Sequence, residues 1–134
     1  MWKWVLALLW ACPCFGDETL TGYAEIGAQY RLIEMAQSPA QHPITLEISA
    51  TKIIAGQAPC NRYSARVIVP RPWFELSPIN RTKRACPALA LEAQYFELLA
   101  RARLIDLHRD QLILSDEDGP LLIFQRDEAP RVSK

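Results

Sequence analysis

The chain is 134 residues long, with 15 Lys or Arg, 15 Asp or Glu and half of its residues apolar. That length fits one domain of ordinary size, and the apolar share is too high for a disordered tail. A formal net charge of zero argues against a dedicated nucleic-acid binder, which carries a clear basic excess.

The first sixteen residues differ from the rest. Residues 1–16 are almost wholly apolar, with Lys3 as their one charge, a bulky stretch after it and small residues at the exit. This is the pattern of a secretory leader, and it is too short to span a bilayer, which needs roughly 20 apolar residues. Two processing routes are open. Leu9-Trp10-Ala11-Cys12 resembles a bacterial lipobox, which would make Cys12 the lipidated N-terminus. Ordinary cleavage after Gly16 would instead release a soluble form. Either way the chain is read as exported, to the periplasm or to a lipid anchor on the outer membrane. Of the four tryptophans, only Trp73 lies beyond the leader.

Residues 17–134 show no repeat or linker, so they are read as one domain. A strand is expected over 29–34, then a loop over 38–43 with prolines at both ends. Ile44, Leu46 and Ile48 alternate with polar residues, the mark of a half-buried antiparallel strand. Strands at 52–56 and 65–69 continue the pattern around a turn at Cys60. A further short strand at 73–76 stands between prolines, which suits a sheet edge.

The period then changes. Residues 87–102 are rich in Ala and Leu, and Pro87 suits a first helical position. On this helix Leu91, Tyr95, Leu98 and Leu99 are expected to face the core, with Glu92 and Arg101 outward. Strands at 103–107, 111–114 and 121–125 follow, separated by tight turns at 108–110 and 116–120. The fold class is therefore α+β: an antiparallel sheet of about eight strands curled into a partial, cracked β-barrel with one helix.

Two cysteines, Cys60 and Cys86, lie in the exported part. In an oxidising compartment a disulfide is the expected state, with two buried free thiols or a redox or nucleophilic role as the alternatives. Neither cysteine has a partner at zinc-ligand spacing, so no metal is expected.

Gly56-Gln-Ala-Pro-Cys60-Asn-Arg-Tyr63-Ser, followed by Thr82-Lys-Arg-Ala-Cys86 and a helical Glu92, resembles the META domain family. These are the HslJ-like proteins of bacterial envelopes. Leu112-Ile-Leu114 and Leu121-Leu-Ile-Phe124 resemble the family's closing hairpin, so the likeness runs over about residues 28–126. Pro59 stands where the family usually has glycine, Ala65 replaces a later glycine, and Tyr30 replaces an opening tryptophan. The resemblance implies a cracked barrel with a helix, similar to secretin-pilot lipoproteins. It also implies links to heat shock and antibiotic tolerance, with no enzyme chemistry and no cofactor.

The motif turn of Gly56, Asn61, Arg62, Tyr63, Thr82 and Arg84 has a structural account. Asn61 suits a turn, and Tyr63 can bury its ring while its hydroxyl finds a partner. The rival account is a recognition loop. Charge is unevenly placed: Arg62, Arg66, Arg71, Arg81, Lys83 and Arg84 face a single Glu75 across 62–84, and 106–128 is acidic. Such a basic stretch could meet an anionic partner or lipid headgroups, or could pair internally. His42 and His108 fall in expected loops, and no metal-binding, phosphate-loop or nucleophile-elbow pattern occurs. The reading is a monomeric, non-enzymatic envelope domain that binds a partner protein or an apolar ligand. The alternative is a thiol-dependent redox factor or enzyme using Cys60 or Cys86.

Overall fold

The computed structural model describes residues 27–127. The leader, Cys12 and both cleavage sites lie outside the described residues, as does most of the stretch before the first strand.

Nine strands and one helix follow in the order β1 (Gln29–Met35), β2 (Ser38–Pro39), β3 (Thr45–Ile48), β4 (Ile53–Gln57), β5 (Arg62–Arg66), β6 (Asn80–Arg81), α1 (Leu89–Arg101), β7 (Leu104–His108), β8 (Gln111–Asp116) and β9 (Gly119–Arg126). All the pairings are antiparallel, in the order β6-β5-β4-β3-β1-β9-β8-β7, with β2 folded back on β1. The ends of this path do not pair directly, so the sheet is a curled, open barrel. Between them runs the hairpin-like segment 66–77. It meets β7 through a Trp73–Leu104 bridge and closes on itself through Val67–Leu76.

That segment departs from the expected strands at 65–69 and 73–76. The regular strand is Arg62–Arg66, set by its register on β4, with Tyr63 opposite Gly56 and Ala65 opposite Ile54. Beyond it Pro70 and Pro72 lack the N–H groups a ladder needs, so only isolated bridges remain. The turn is closed by the Trp73 N–H donating to the Pro70 carbonyl at 3.0 Å and contains a cis Arg71–Pro72 peptide. The expected loop at 38–43 likewise begins with a short strand. Ala36 and Gln37 both take positive φ, the geometry of a two-residue hairpin turn matched to strand twist.

The alternation read from sequence positions the core. Tyr30, Leu32, Ile44, Leu46, Ile54, Tyr63 and Ala65 point inward from the first sheet half, and Leu112, Leu114, Leu122 and Phe124 from the second. Ile33 is exposed because it falls on the outward phase of β1 with Gln29 and Arg31; the bulge between Leu32 and Glu34 then shifts the phase, so that Met35 turns inward. The helix lies against the concave side, and Tyr95, Phe96, Leu98 and Leu99 interdigitate with the sheet residues. Helix α1 begins at Leu89 rather than Pro87. Residues 87–88 form a preceding turn in which the Leu89 N–H bonds the Cys86 carbonyl at 3.1 Å.

One expected orientation is overturned. Glu92 does not face solvent: it is 1% exposed and lies on the buried stripe with Tyr95 and Leu99. The reason is polar rather than apolar, and it organises the site below. Arg101 does face outward, where its Nε donates to Asp116 at 3.0 Å.

Candidate functional site

The turn between β4 and β5 is closed by the Ala58 N–H donating to the Asn61 carbonyl at 2.8 Å. Neither Pro59 nor Ala65 takes positive φ, so the glycines they replace are not needed for backbone shape here. The turn points its N–H groups at the helix. Glu92 Oε1 accepts from the backbone N–H of Cys60 at 3.0 Å and of Asn61 at 2.8 Å. Its Oε2 accepts from Asn61 Nδ2 at 2.7 Å. A carboxylate that would be expensive to bury alone is thereby held by three donors.

Asn61 uses every hydrogen-bonding site of its side chain. Nδ2 also donates to the Arg84 carbonyl at 3.0 Å, while Oδ1 accepts from the Arg84 N–H at 2.6 Å and the Thr82 hydroxyl at 2.8 Å. The network fixes the amide orientation, because a flipped amide would set donor against donor. Thr82 in turn receives the Arg62 N–H at 3.1 Å. The Cys60–Cys86 disulfide spans the same two segments, with a Cα–Cα distance of 5.6 Å. Cys60, Asn61, Thr82, Arg84, Cys86 and Glu92 therefore form one clamp joining the β4–β5 turn, the chain after β6 and the helix. In Arg84 it is the backbone, not the guanidinium, that takes part.

Gly56 and Tyr63 serve a second contact. They are cross-strand partners, and a Cβ at Gly56 would overlap the Thr45 carbonyl. Only glycine lets the β3 backbone approach this closely. Into that space Tyr63 places its hydroxyl, which donates to the Thr45 carbonyl at 2.7 Å. With its single proton so engaged, Tyr63 accepts from the Tyr95 hydroxyl at 2.6 Å. Burial pushes both hydroxyls well above the usual phenol range; neighbouring Tyr63 raises Tyr95 further, while the bond from Tyr95 partly offsets the rise at Tyr63. The rings of Tyr63, Tyr95 and Phe96 meet at 5.4–5.6 Å between centroids.

The six basic residues do not converge. Arg62 and Arg66 alternate with Tyr63 along β5 and point outward from the sheet. Arg81 pairs opposite Tyr63 and extends its guanidinium over the Phe96 ring, 5.0 Å from the centroid. Lys83 and Arg84 lie exposed in the connection to the helix, and Arg71 sits in the proline turn. The acidic end is partly tied up locally. The Asp118 N–H first, and then the Arg101 guanidinium, hold the Asp116 carboxyl below the usual carboxylate range.

Beside the clamp, α1 and the segment 75–81 enclose an open groove of about 690 Å³. Leu76, Ile79, Ala93, Phe96 and Ala100 line it, with Arg81 and Arg103 among its polar residues. A smaller depression of about 340 Å³ lies at the C-terminal half of the helix, around Glu97, Arg101 and Asp116. Among the described residues no buried side-chain nitrogen or oxygen lacks a hydrogen-bond partner. The clamp thus has no buried polar atom left over for a ligand.

A family model for the META domain matches residues 20–129, a range that holds the whole clamp and the Gly56–Tyr63 contact. The chain belongs to the META domain family. No curated protein matches it significantly. Among solved structures, the META chain is similar to a protein from Burkholderia xenovorans determined by NMR, with 21% identity and a TM-score of 0.62. That match covers 78% of this chain and 84% of the other. A second NMR structure matches at 19% identity and a TM-score of 0.59, covering 74% of this chain and 88% of its own. At these identities the likeness is one of fold.

Two features escape the sequence: the inward orientation of Glu92, a motif residue expected to face outward, and the Thr45 carbonyl, which no side-chain motif announces. Helical spacing could have found the first. Glu92 is three residues before Tyr95 and seven before Leu99, which puts it on their face.

Proposed function

We propose that this META domain is a non-enzymatic, exported envelope protein that binds a partner protein or an apolar ligand in the groove between α1 and residues 75–81. The observation that carries the reading is that groove of about 690 Å³, in which an apolar strip of Leu76, Ile79 and Phe96 is bordered by Glu75, Glu97, Arg81 and Arg103. The clamp supports it because its buried polar atoms are bonded to one another, and the groove is the larger of the two concave surfaces described above. The leader supports export, and Cys12 offers an optional lipid anchor. The stress associations of HslJ-like proteins extend the reading to envelope stress tolerance. The thiol-dependent alternative needs a thiolate at Cys60 or Cys86, and these two sulfurs are joined.

The test fills the groove without touching the core. Ala100 lines it and is exposed, so Ala100→Trp occupies it from the solvent side. Native mass spectrometry of the full chain with an added long-chain fatty acid should show a complex that Ala100→Trp abolishes. Alternatively, a photo-crosslinker at position 100 should capture a defined envelope protein in cells. Absence of both a fatty-acid complex and a captured partner would refute the groove. A labelled thiol at Cys60 or Cys86 in protein taken from its compartment would favour the redox alternative.

A further inference from the structure

We propose that the outward face of the 66–77 hairpin docks on an anionic lipid surface, with Trp73 and Ile68 in the interfacial layer and Arg62 and Arg66 on the headgroups. This surface adjoins the groove at Glu75.

The face follows from the pairing. Val67 and Leu76 are antiparallel partners, and the Ile68 N–H donates to the Glu75 carbonyl at 3.0 Å. Directly opposed side chains of an antiparallel pair share a face, and neighbours along the strand alternate. Val67, Phe74 and Leu76 therefore turn inward, and Ile68, Pro70, Trp73 and Glu75 outward. Exposure agrees: Phe74 is 2% exposed, against 54% for Ile68 and 58% for Trp73. The same alternation continues into β5, where Arg66 and Arg62 point outward with Ile68. One surface thus carries an isoleucine, a proline and a tryptophan at its tip and two arginines behind them. Lys52, also exposed, stands at the hairpin base, where its carbonyl accepts the Val67 N–H at 2.8 Å. Glu75 is the one acid within the hairpin.

Apolar side chains this exposed next to cations are not explained by the fold, because the inner side of the same hairpin already supplies its core contacts. Tryptophan suits the membrane interface, where an amphipathic ring sits at headgroup level, and arginines behind it match anionic phosphates. Exposed apolar side chains at a turn, backed by cations, suit a soft surface that moulds to them.

The experiment compares full-length variants on vesicles of phosphatidylcholine alone and of phosphatidylcholine with about one-quarter phosphatidylglycerol, read by co-sedimentation. The leader is common to all variants, so differences between them report the hairpin. Wild type should prefer the anionic vesicles. Trp73→Ala should weaken that binding about tenfold, from the loss of one large apolar contact. Arg62→Gln and Arg66→Gln should each weaken it about fivefold and flatten its salt dependence. Because these residues are exposed, thermal midpoints should stay at the wild-type value, and Ile68→Ser gives a second apolar probe. Variants that bind anionic vesicles as tightly as wild type would overturn the proposal, as would equal binding to neutral vesicles. Tighter, Trp73-dependent binding to an acidic polypeptide would overturn it in favour of a protein partner.

Discussion

Replacing Glu92 by Gln changes almost no volume, so its effect isolates the hydrogen bonds of the clamp. Two backbone N–H groups, of Cys60 and Asn61, point at Oε1 and one amide N–H points at Oε2. A glutamine can offer its oxygen to only one of these two positions. If the oxygen stays with the backbone donors, its own NH₂ confronts Asn61 Nδ2. Asn61 cannot flip to relieve this, because its Oδ1 already holds the Arg84 N–H and the Thr82 hydroxyl. One buried donor is therefore left unmade, and charge assistance to the others is lost. The cost is about 1–3 kcal/mol. Glu92→Ala leaves all three donors and a cavity, which moves the cost to about 3–5 kcal/mol, a large part of the ~5–15 kcal/mol that holds a domain together.

The assay is thermal and urea unfolding of the oxidised protein followed by far-UV circular dichroism. For a domain of this size each kcal/mol lowers Tm by roughly 4–8 °C, so Glu92→Gln should fall well outside the scatter. Asn61→Ala combined with Glu92→Ala should be less harmful than the sum of the two, with a coupling of about 1–3 kcal/mol. A Glu92→Gln protein within about 0.5 kcal/mol of wild type, the range of a bland surface change, would refute the clamp.

Gly56→Ala should destabilise by more than about 2 kcal/mol, since its Cβ meets backbone rather than a flexible side chain; urea midpoints with unchanged m-values check it. Cys60→Ser with Cys86→Ser should lose about 3.5 kcal/mol by loop-closure entropy and still fold, because the Asn61–Glu92 bonds hold the same turn, as circular dichroism under reducing conditions will report. Tyr95→Phe should cost about 1 kcal/mol and Tyr63→Phe more, since only the second orphans the Thr45 carbonyl and the Tyr95 hydroxyl together. The two tyrosines also set an alkaline limit. Their folded-state pKa values are raised, so their contribution is intact below the ordinary phenol value of 10.0 and is lost as pH rises above it. Stability measured from pH 9 to 11 should therefore fall by up to about 1.4 kcal/mol per pH unit for each tyrosine, and less steeply in Tyr95→Phe.

Strand alternation was legible because burial on one side forces period two, and Ile44, Leu46, Leu112 and Leu114 obey it. The helix was legible from Ala and Leu content, though its start slipped because Pro87 can serve a turn as readily as a first helical turn. The region 65–76 was not legible. Its apolar residues resemble strand, but Pro70 and Pro72 reduce it to isolated bridges and leave Ile68 and Trp73 outside. The orientation of Glu92 was not legible for a different reason: its charge points to solvent while its helical spacing points to the core. A buried carboxylate is rare unless donors await it, and here the donors belong to a turn thirty residues away in sequence. Only the likeness to META proteins joined those segments before the structure did.

The clamp and the groove are mechanically one object. The groove's two walls are the helix and the segment 75–81, and the clamp fastens the helix, through Glu92, to the chain that leaves β6, through Asn61, Thr82 and Arg84. Arg81 links the walls again across Phe96. Loosening the clamp should therefore widen or blur the groove even though no clamp residue is among those lining it. Glu92→Gln would then weaken ligand binding under conditions where the domain is still folded, whereas Ala100→Trp would abolish binding with stability unchanged. This pairing tests the proposed division of labour, in which the META motif holds the walls at a fixed width and the groove lining chooses the occupant.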